Sequence, residues 1–355
     1  MVKRLFSINF CSTKSIGHLM KFIGDHWSED HILAKDVNFM KWQHYEKKKN
    51  IYNFVVAKKN KDLIGCHGFI SHSHFSKKLL PNNTIWMINW FAIKGAPNPG
   101  LDLIFFPQNN LRFSRIGTIG CNKKAKTIYK KMGFKVGNMK HYFTINPKIK
   151  SFKLIKESKK INKTRNKELS NKKIKYLKGD LNLKIFGNNV DELVKKYAKD
   201  ETFFQNRYIN HPYYKYKIYL IYSFKNVVGF FVIRVCKFKK SKALRIVDFF
   251  GHEEALVGIN FALEKLLVET KAEYIDFYEY GIKNSIMFKS GFVKNMFDNK
   301  IIIPNYFEPF VKRNIKLGWA IKTNNLKMTP MFKGDCDQDR PSLPRSKKLK
   351  NKNNL

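Results

Sequence analysis

No two of the five cysteines are close: Cys11, Cys66, Cys121, Cys236 and Cys336 are widely spaced and form no Cys-x-x-Cys pair. That spacing argues against a zinc site and against a disulfide framework, and leaves the thiols reduced and buried. No apolar run reaches the ~18 residues that a membrane-spanning helix needs. The first ten residues, Met1 to Phe10, have neither a long apolar stretch nor a small-residue cleavage site, so they read as a first strand and the protein is expected in the cytoplasm. Acidic residues are scarce, 27 against 69 lysines and arginines, giving a formal net charge of +42. Such an excess suits a polyanion such as tRNA or another nucleic acid. However, the cations are mainly lysines and are scattered, not striped, alongside much asparagine, isoleucine and phenylalanine. Compositional drift therefore accounts for them better than a dedicated nucleic-acid face. Hydrophobic residues make up 43% of the chain, enough for packed cores, and 355 residues suggest about two domains.

The most informative stretch is 114–146. Ile116 and Ile119 lie in a short apolar run that reads as a buried strand, and Gly133 ends the segment 123–132 as a helix stop. Ala125, Ile128 and Met132 fall at i, i+3 and i+7 and mark one helical face. Phe134 opens a further strand through Val136, Met139 and Tyr142. The unit is strand, helix, strand, with Tyr129 in mid-helix beside the end of the first strand.

This unit resembles the closing unit of the GNAT superfamily of acyl-CoA N-acyltransferases, whose recurring pattern is matched by Asn122, Ala125, Ile128, Tyr129, Gly133 and Phe134. The order of elements over 1–147 is also similar: strand, two helices, three strands, a glycine-bearing loop, helix, strand, helix, strand. The implied fold is mixed α/β (α+β), a mostly antiparallel twisted sheet flanked by helices. The longest strand is 84–93, in which Trp86 and Trp90, an even spacing apart, are expected on one face. It runs into the loop Gly95-Ala96-Pro97-Asn98-Pro99-Gly100. A loop entering a helix presents unpaired N–H groups, which suits a diphosphate. Pro97 and Pro99 depart from the family's loop and remove two donors.

A second copy is legible in 176–330. Asp36 precedes Gly65 by the same 29 residues that separate Asp200 from Gly229, and each half reaches a Gly-Phe pair, Gly133-Phe134 and Gly291-Phe292. The second copy has Met287 in place of Tyr129 and has Glu253 and Glu254 where a phosphate loop belongs, so it is expected to bind no CoA. The division expected is 1–147, a lysine-rich linker 148–175, 176–330, and a tail 331–355 whose last residues, from 342, are disordered. The tail's alternating Asp335, Asp337 and Asp339 lack the glycine and distal glutamate of a calcium loop, so no metal is expected; an acidic segment on a basic protein docks back on the body.

For the chemistry, the resemblance implies acetyl-CoA or another acyl-CoA as co-substrate, a thioester carbonyl polarised by backbone N–H groups near residues 89–91, and Tyr129 as the proton donor to the leaving thiolate. It places cofactor contacts at Phe91, Ala92, Ile93, Gly95, Ala96, Asn98, Gly100, Asn122 and Ala125. No carboxylate lies in 84–93 to act as base. His67 and His72 are the leading titratable candidates, with His74 and His141 behind them. The acceptor expected is a small-molecule amine, such as an amino sugar or nucleotide-linked sugar, by similarity to GNAT-like proteins of surface-polysaccharide gene clusters. Two other readings stay open: a FemABX-like transferase that uses aminoacyl-tRNA, and a binding module without catalysis.

Overall fold

The computed structural model describes residues 5–95, 98–157, 171–298, 300–324 and 329–342. Ala96, much of the expected linker and the chain from 343 lie outside them. The first half supplies β1 (Ser7–Ser12), α1 (Ile16–His26), α2 (Val37–His44), β2 (Ile51–Lys59), β3 (Asp62–Ser71), β4 (Thr84–Ala92), α3 (Gly100–Asn110), β5 (Arg115–Cys121), α4 (Lys123–Lys131), β6 (Lys135–Asn138) and β7 (Lys140–Ile145). The second supplies β8 (Lys172–Tyr176), α5 (Val190–Tyr197), β9 (Tyr216–Ser223), β10 (Asn226–Phe238), β11 (Ser241–Gly251), α6 (Asn260–Thr270), β12 (Tyr274–Tyr280), α7 (Asn284–Lys289), β13 (Val293–Lys294), β14 (Gly318–Thr323) and β15 (Met331–Phe332).

The repeated Asp-x-x-Phe has one physical role in both halves. Asp36 accepts the Phe39 N–H at 2.8 Å, and Asp200 accepts the Phe203 N–H at 2.8 Å. Each aspartate satisfies one of the orphan donors at a helix start, and each phenylalanine is driven into the core.

The strands form two mixed eight-stranded sheets, and the chain crosses between them. The first runs β1-β2-β3-β4-β5-β14-β6, with a short eighth strand at Tyr45–Glu46 beside β2, and the second runs β8-β9-β10-β11-β12-β7-β13, with β15 as its eighth strand beside β12. Thus β7 of the first half pairs with β12 across the second sheet (Tyr274↔Ile145, Phe277↔Tyr142), while β14 of the second half lies between β5 and β6. The strand expected to run on from Phe134 to Tyr142 is broken at Met139, where the chain leaves one sheet for the other and the Met139 N–H bonds the Leu317 carbonyl at 2.8 Å. A cut at 147 therefore follows the sequence but not the sheets. One buried cluster takes Tyr52, Phe54 and Trp86 from the first half together with Phe203, Tyr208 and Phe230 from the second, so the halves share a core.

The exchange needs a close approach at Gly318. A Cβ there would collide with the Cys121 carbonyl oxygen and lie 3.2 Å from Lys126 Cδ. Backbone cannot swing aside, so Gly318→Ala is expected to destabilise the fold by about 1–3 kcal/mol in chemical denaturation, the usual cost of overpacking.

Candidate active site

Parallel strands β4 and β5 are matched only at Thr84↔Arg115, Ile85↔Ile116 and Trp86↔Gly117; beyond those three pairs they part. In the same place β4 is bulged. Between Cys66↔Phe91 and Gly68↔Ile88, β4 spends one more residue than β3, and Asn89 takes a φ of 46°. A bulge adds one residue to the period of two and turns the following side chains over. Trp86 consequently packs with Ile88 in the core shared by both halves, whereas Trp90 packs on the opposite face with Tyr129 and Ala125. The expectation that the two tryptophans share a face fails for this reason.

The gap holds a cavity of about 440 Å³. Met87, Asn89 and Trp90 of β4 line it, as do Thr118, Ile119 and Cys121 of β5, and Asn122, Ala125 and Ile128 at α4. Tyr129 stands on its wall. Its side chain is almost wholly buried, its ring lies 6.0 Å from Trp90 and 5.1 Å from Phe134, and its hydroxyl has no hydrogen-bond partner among the described residues. Burial, with Cys121 and Cys336 adding to it, pushes the phenol well above its ordinary pKa. The group stays protonated and can only give its proton when a strong base forms beside it.

His67 also lines the cavity, on the side of α3, and is 1% exposed. Its Nδ1 bonds the Leu103 carbonyl at 3.0 Å, so the proton is on Nδ1 and Nε2 is an acceptor without a partner among the described residues. Burial pushes this imidazole down to about 4, which makes it a neutral hydrogen-bond acceptor and a weak base.

His72 belongs elsewhere. Its Nδ1 bonds the Ala198 carbonyl of the second half at 2.7 Å and its Nε2 accepts the Trp86 indole N–H of its own half at 3.0 Å, so both nitrogens are spent in structural bonds. This removes it from the catalytic candidates. His74 sits between Glu46 at 2.9 Å and the Trp42 carbonyl at 2.7 Å. His141 is fully enclosed in the second sheet, 3.1 Å from Asp276 and stacked at 3.8 Å on Tyr278, because β7 carries it there.

Of the expected cofactor contacts, Asn122 and Ala125 line the cavity, with the Asn122 oxygen capping α4 through the Ala125 N–H at 2.9 Å. Phe91, Ala92 and Ile93 lie beyond the cavity wall, and the Ile93 N–H is already bonded to Ile64 at 2.9 Å. Gly95, at φ 116°, Asn98 and Gly100 form the turn into α3 and do not line the cavity. The Asn98 oxygen takes the Gly100 N–H at 2.9 Å, and the Trp90 indole donates to the Gly100 carbonyl at 2.9 Å. Trp90 thus stands between that turn and the cavity.

The segment 336–340 was read from sequence only as a docking tail; in the fold it enters this gap. Cys336 donates to the Met87 carbonyl of β4 at 3.7 Å, and Gln338 Nε2 donates to the Ile119 carbonyl of β5 at 3.0 Å, so the tail ties both lips together. Gly120, at φ 100°, is glycine because a Cβ would fall on the Gln338 amide. The three alternating aspartates go to three different cations: Asp335 to Lys199 at 2.6 Å, Asp337 to Arg340 at 3.0 Å, and Asp339 to Arg234 at 2.8 Å. No sequence signal distinguished Asp337 from its neighbours, since only the threading puts it on the cavity wall.

The second sheet has the matching gap, closed. Strands β11 and β12 are parallel at Leu244↔Ile275, Arg245↔Asp276 and Ile246↔Phe277, and then β15 fills the opening, with Glu279↔Phe332 and Tyr280↔Met331. Phe332 is fully buried there.

No family model matches the chain and no curated protein matches it. Among solved structures it is similar to a GCN5-related N-acetyltransferase from Anabaena variabilis ATCC 29413, with TM-score 0.51 and 10% identity over 90% of this chain and 73% of that one. A GCN5-related N-acetyltransferase from Kribbella flavida gives TM-score 0.49 and 9% identity over 90% of this chain and 71% of that one. The first of these likenesses shows the fold: two GNAT-like domains, each a mixed sheet flanked by helices.

Proposed function

We propose that the protein is an N-acyltransferase that moves an acetyl or other acyl group from acyl-CoA to the amine of a small molecule. The observation that carries this reading is the gap between β4 and β5, with the proton-bearing phenol of Tyr129, unpartnered among the described residues, on its wall. Where two parallel strands part, facing main-chain groups can pair with an extended ligand, as a pantetheine arm is; the Met87 and Ile119 carbonyls are taken by Cys336 and Gln338, so such an arm uses the groups that the tail leaves. Main-chain N–H groups of β4 beside the bulge at Asn89 are the donors this reading assigns to a thioester carbonyl, since such donors stabilise the oxyanion of a tetrahedral intermediate. As the C–S bond breaks, the thiolate takes the Tyr129 proton. The role that suits His67 is narrower than a base: its neutral Nε2 accepts an N–H of the donor. The second domain carries no donor, since β15 fills its gap, and it serves as a wall. Trp27 and Tyr306, 45% and 39% exposed at the cavity's other end, offer ring faces suited to an amino sugar.

Calorimetry with acetyl-CoA tests the donor. Saturable binding is expected in about the 1 μM–1 mM range common for enzyme substrates. Ala125→Trp, which fills the cavity wall, is expected to abolish it. If tRNA binds at physiological salt and acetyl-CoA does not, the aminoacyl-tRNA reading replaces this one.

A further inference from the structure

The cavity passes through the first sheet. Trp90, Ile128 and Tyr129 belong to the core on the α3 and α4 face, while Ile88 and Ile119 belong to the core on the α1 face, and all five line it. Donor and acceptor can therefore enter from opposite faces and meet at Tyr129. On the α3 and α4 side the titratable groups are His67, Cys121, Tyr129 and Lys124, none of them a carboxylate. On the other side the tail brings in one carboxylate, Asp337.

We propose that Asp337 is the residue that receives the acceptor's ammonium and takes its proton, so that the tail completes the catalytic apparatus; this rests on the acyl-transfer reading above. The side chain is 8% exposed and is fixed at both oxygens. Arg340 Nη1 lies 3.0 Å from Oδ2, and Gln338 Nε2 lies 3.0 Å from Oδ1. A carboxylate has about four lone-pair sites, so these contacts orient it and leave room for an incoming N–H. The half-exposed rings of Trp27 and Tyr306 line the cavity as well and attract a cationic amine through their faces, while Arg340, which also lines it, is already paired with Asp337.

The protons balance. The substrate ammonium gives one proton to Asp337, which passes it to solvent. The free amine attacks the thioester carbon, the C–N bond forms and the C–S bond breaks. The thiolate takes the Tyr129 proton, and the second proton lost by nitrogen restores the phenol through water.

Full-length wild type and Asp337→Asn are compared with acetyl-CoA and two nucleophiles: hydroxylamine, unprotonated at neutral pH, and a primary alkylamine, which is protonated. In Asp337→Asn the alkylamine rate should fall by about 100-fold or more, the lower end expected of a positioned base. The hydroxylamine rate and the acetyl-CoA affinity should stay near wild type, and the alkylamine rate of the variant should climb with pH as the free amine accumulates. A merely structural role would lower both nucleophiles alike, and that result overturns the assignment, as does an unchanged alkylamine rate. If Asp337→Asn does not fold, Asp337→Glu must retain alkylamine activity at which Asp337→Ala fails, or the assignment falls. Wild type that binds acetyl-CoA yet accelerates neither nucleophile also sinks it. Wild type that binds no acetyl-CoA instead removes the acyl-transfer reading itself.

Discussion

Tyr129→Phe is expected to lower the turnover of acyl transfer by about 10²–10⁴-fold, the span of a positioned general acid, without weakening acetyl-CoA binding. The reasoning starts from burial. The ring is held between Trp90 and Phe134, so the phenylalanine ring keeps every packing contact. The hydroxyl has no partner among the described residues, and removing a buried polar atom that bonds nothing costs the fold little or stabilises it. Thermal unfolding of the variant should match or exceed that of wild type while the rate collapses, which separates a chemical role from a structural one. The pH profile is a second check. Because burial pushes the phenol above its ordinary value, no alkaline loss of activity from this group is expected up to about pH 10, the range of an unperturbed tyrosine. A variant as active as wild type would leave the phenol as core packing only.

Asp339→Ala is expected to cost about 3–5 kcal/mol of folding stability, the usual result of stripping one partner from a buried ion pair. The Asp339 carboxylate bonds Arg234 through Nε at 2.9 Å and Nη2 at 2.8 Å, and takes the Tyr216 hydroxyl at 2.8 Å. All three side chains are buried, and without the carboxylate the guanidinium is left inside with no counter-ion. Asp339 is also the anchor of the tail, so its loss should draw 336–340 out of the gap between β4 and β5. Denaturant titration should therefore show the lost stability, and acyl transfer should fall with it. The same pair predicts acid lability. Burial alone would raise the Asp339 carboxyl, but Arg234 holds it below the usual carboxylate range; Arg245 and His141 do the same for Asp276. A depressed folded-state value means that the stabilisation is complete above about pH 4, where the unfolded carboxylate titrates, and is lost as pH falls further. A change below about 1 kcal/mol in Asp339→Ala, the range of exposed pairs, would show that Arg234 finds water or another partner.

Several features of this protein were legible in the sequence because they are local. The i, i+3, i+7 face of α4, its stop at Gly133 and the caps of Asp36 and Asp200 depend on neighbours within a turn or two, and they appear where the residues place them. The α/β class follows from the same near-neighbour logic. What depends on distant segments was not legible. A single bulge at Asn89 reversed the facing of Trp86 and Trp90, because strand parity is set by pairing with β3 and not by spacing alone. His72 and His141 looked like free titratable groups and proved to be spent, since their partners Ala198 and Asp276 come from more than a hundred residues away. The exchange of β7 and β14 and the threading of Asp337 into the gap are of the same kind. Sequence by itself determined the local elements around α4 and put Tyr129 on that helix; tertiary structure alone decided which carboxylate reaches the cavity, because only the closed fold brings the tail beside residue 337 against residues 87 and 119.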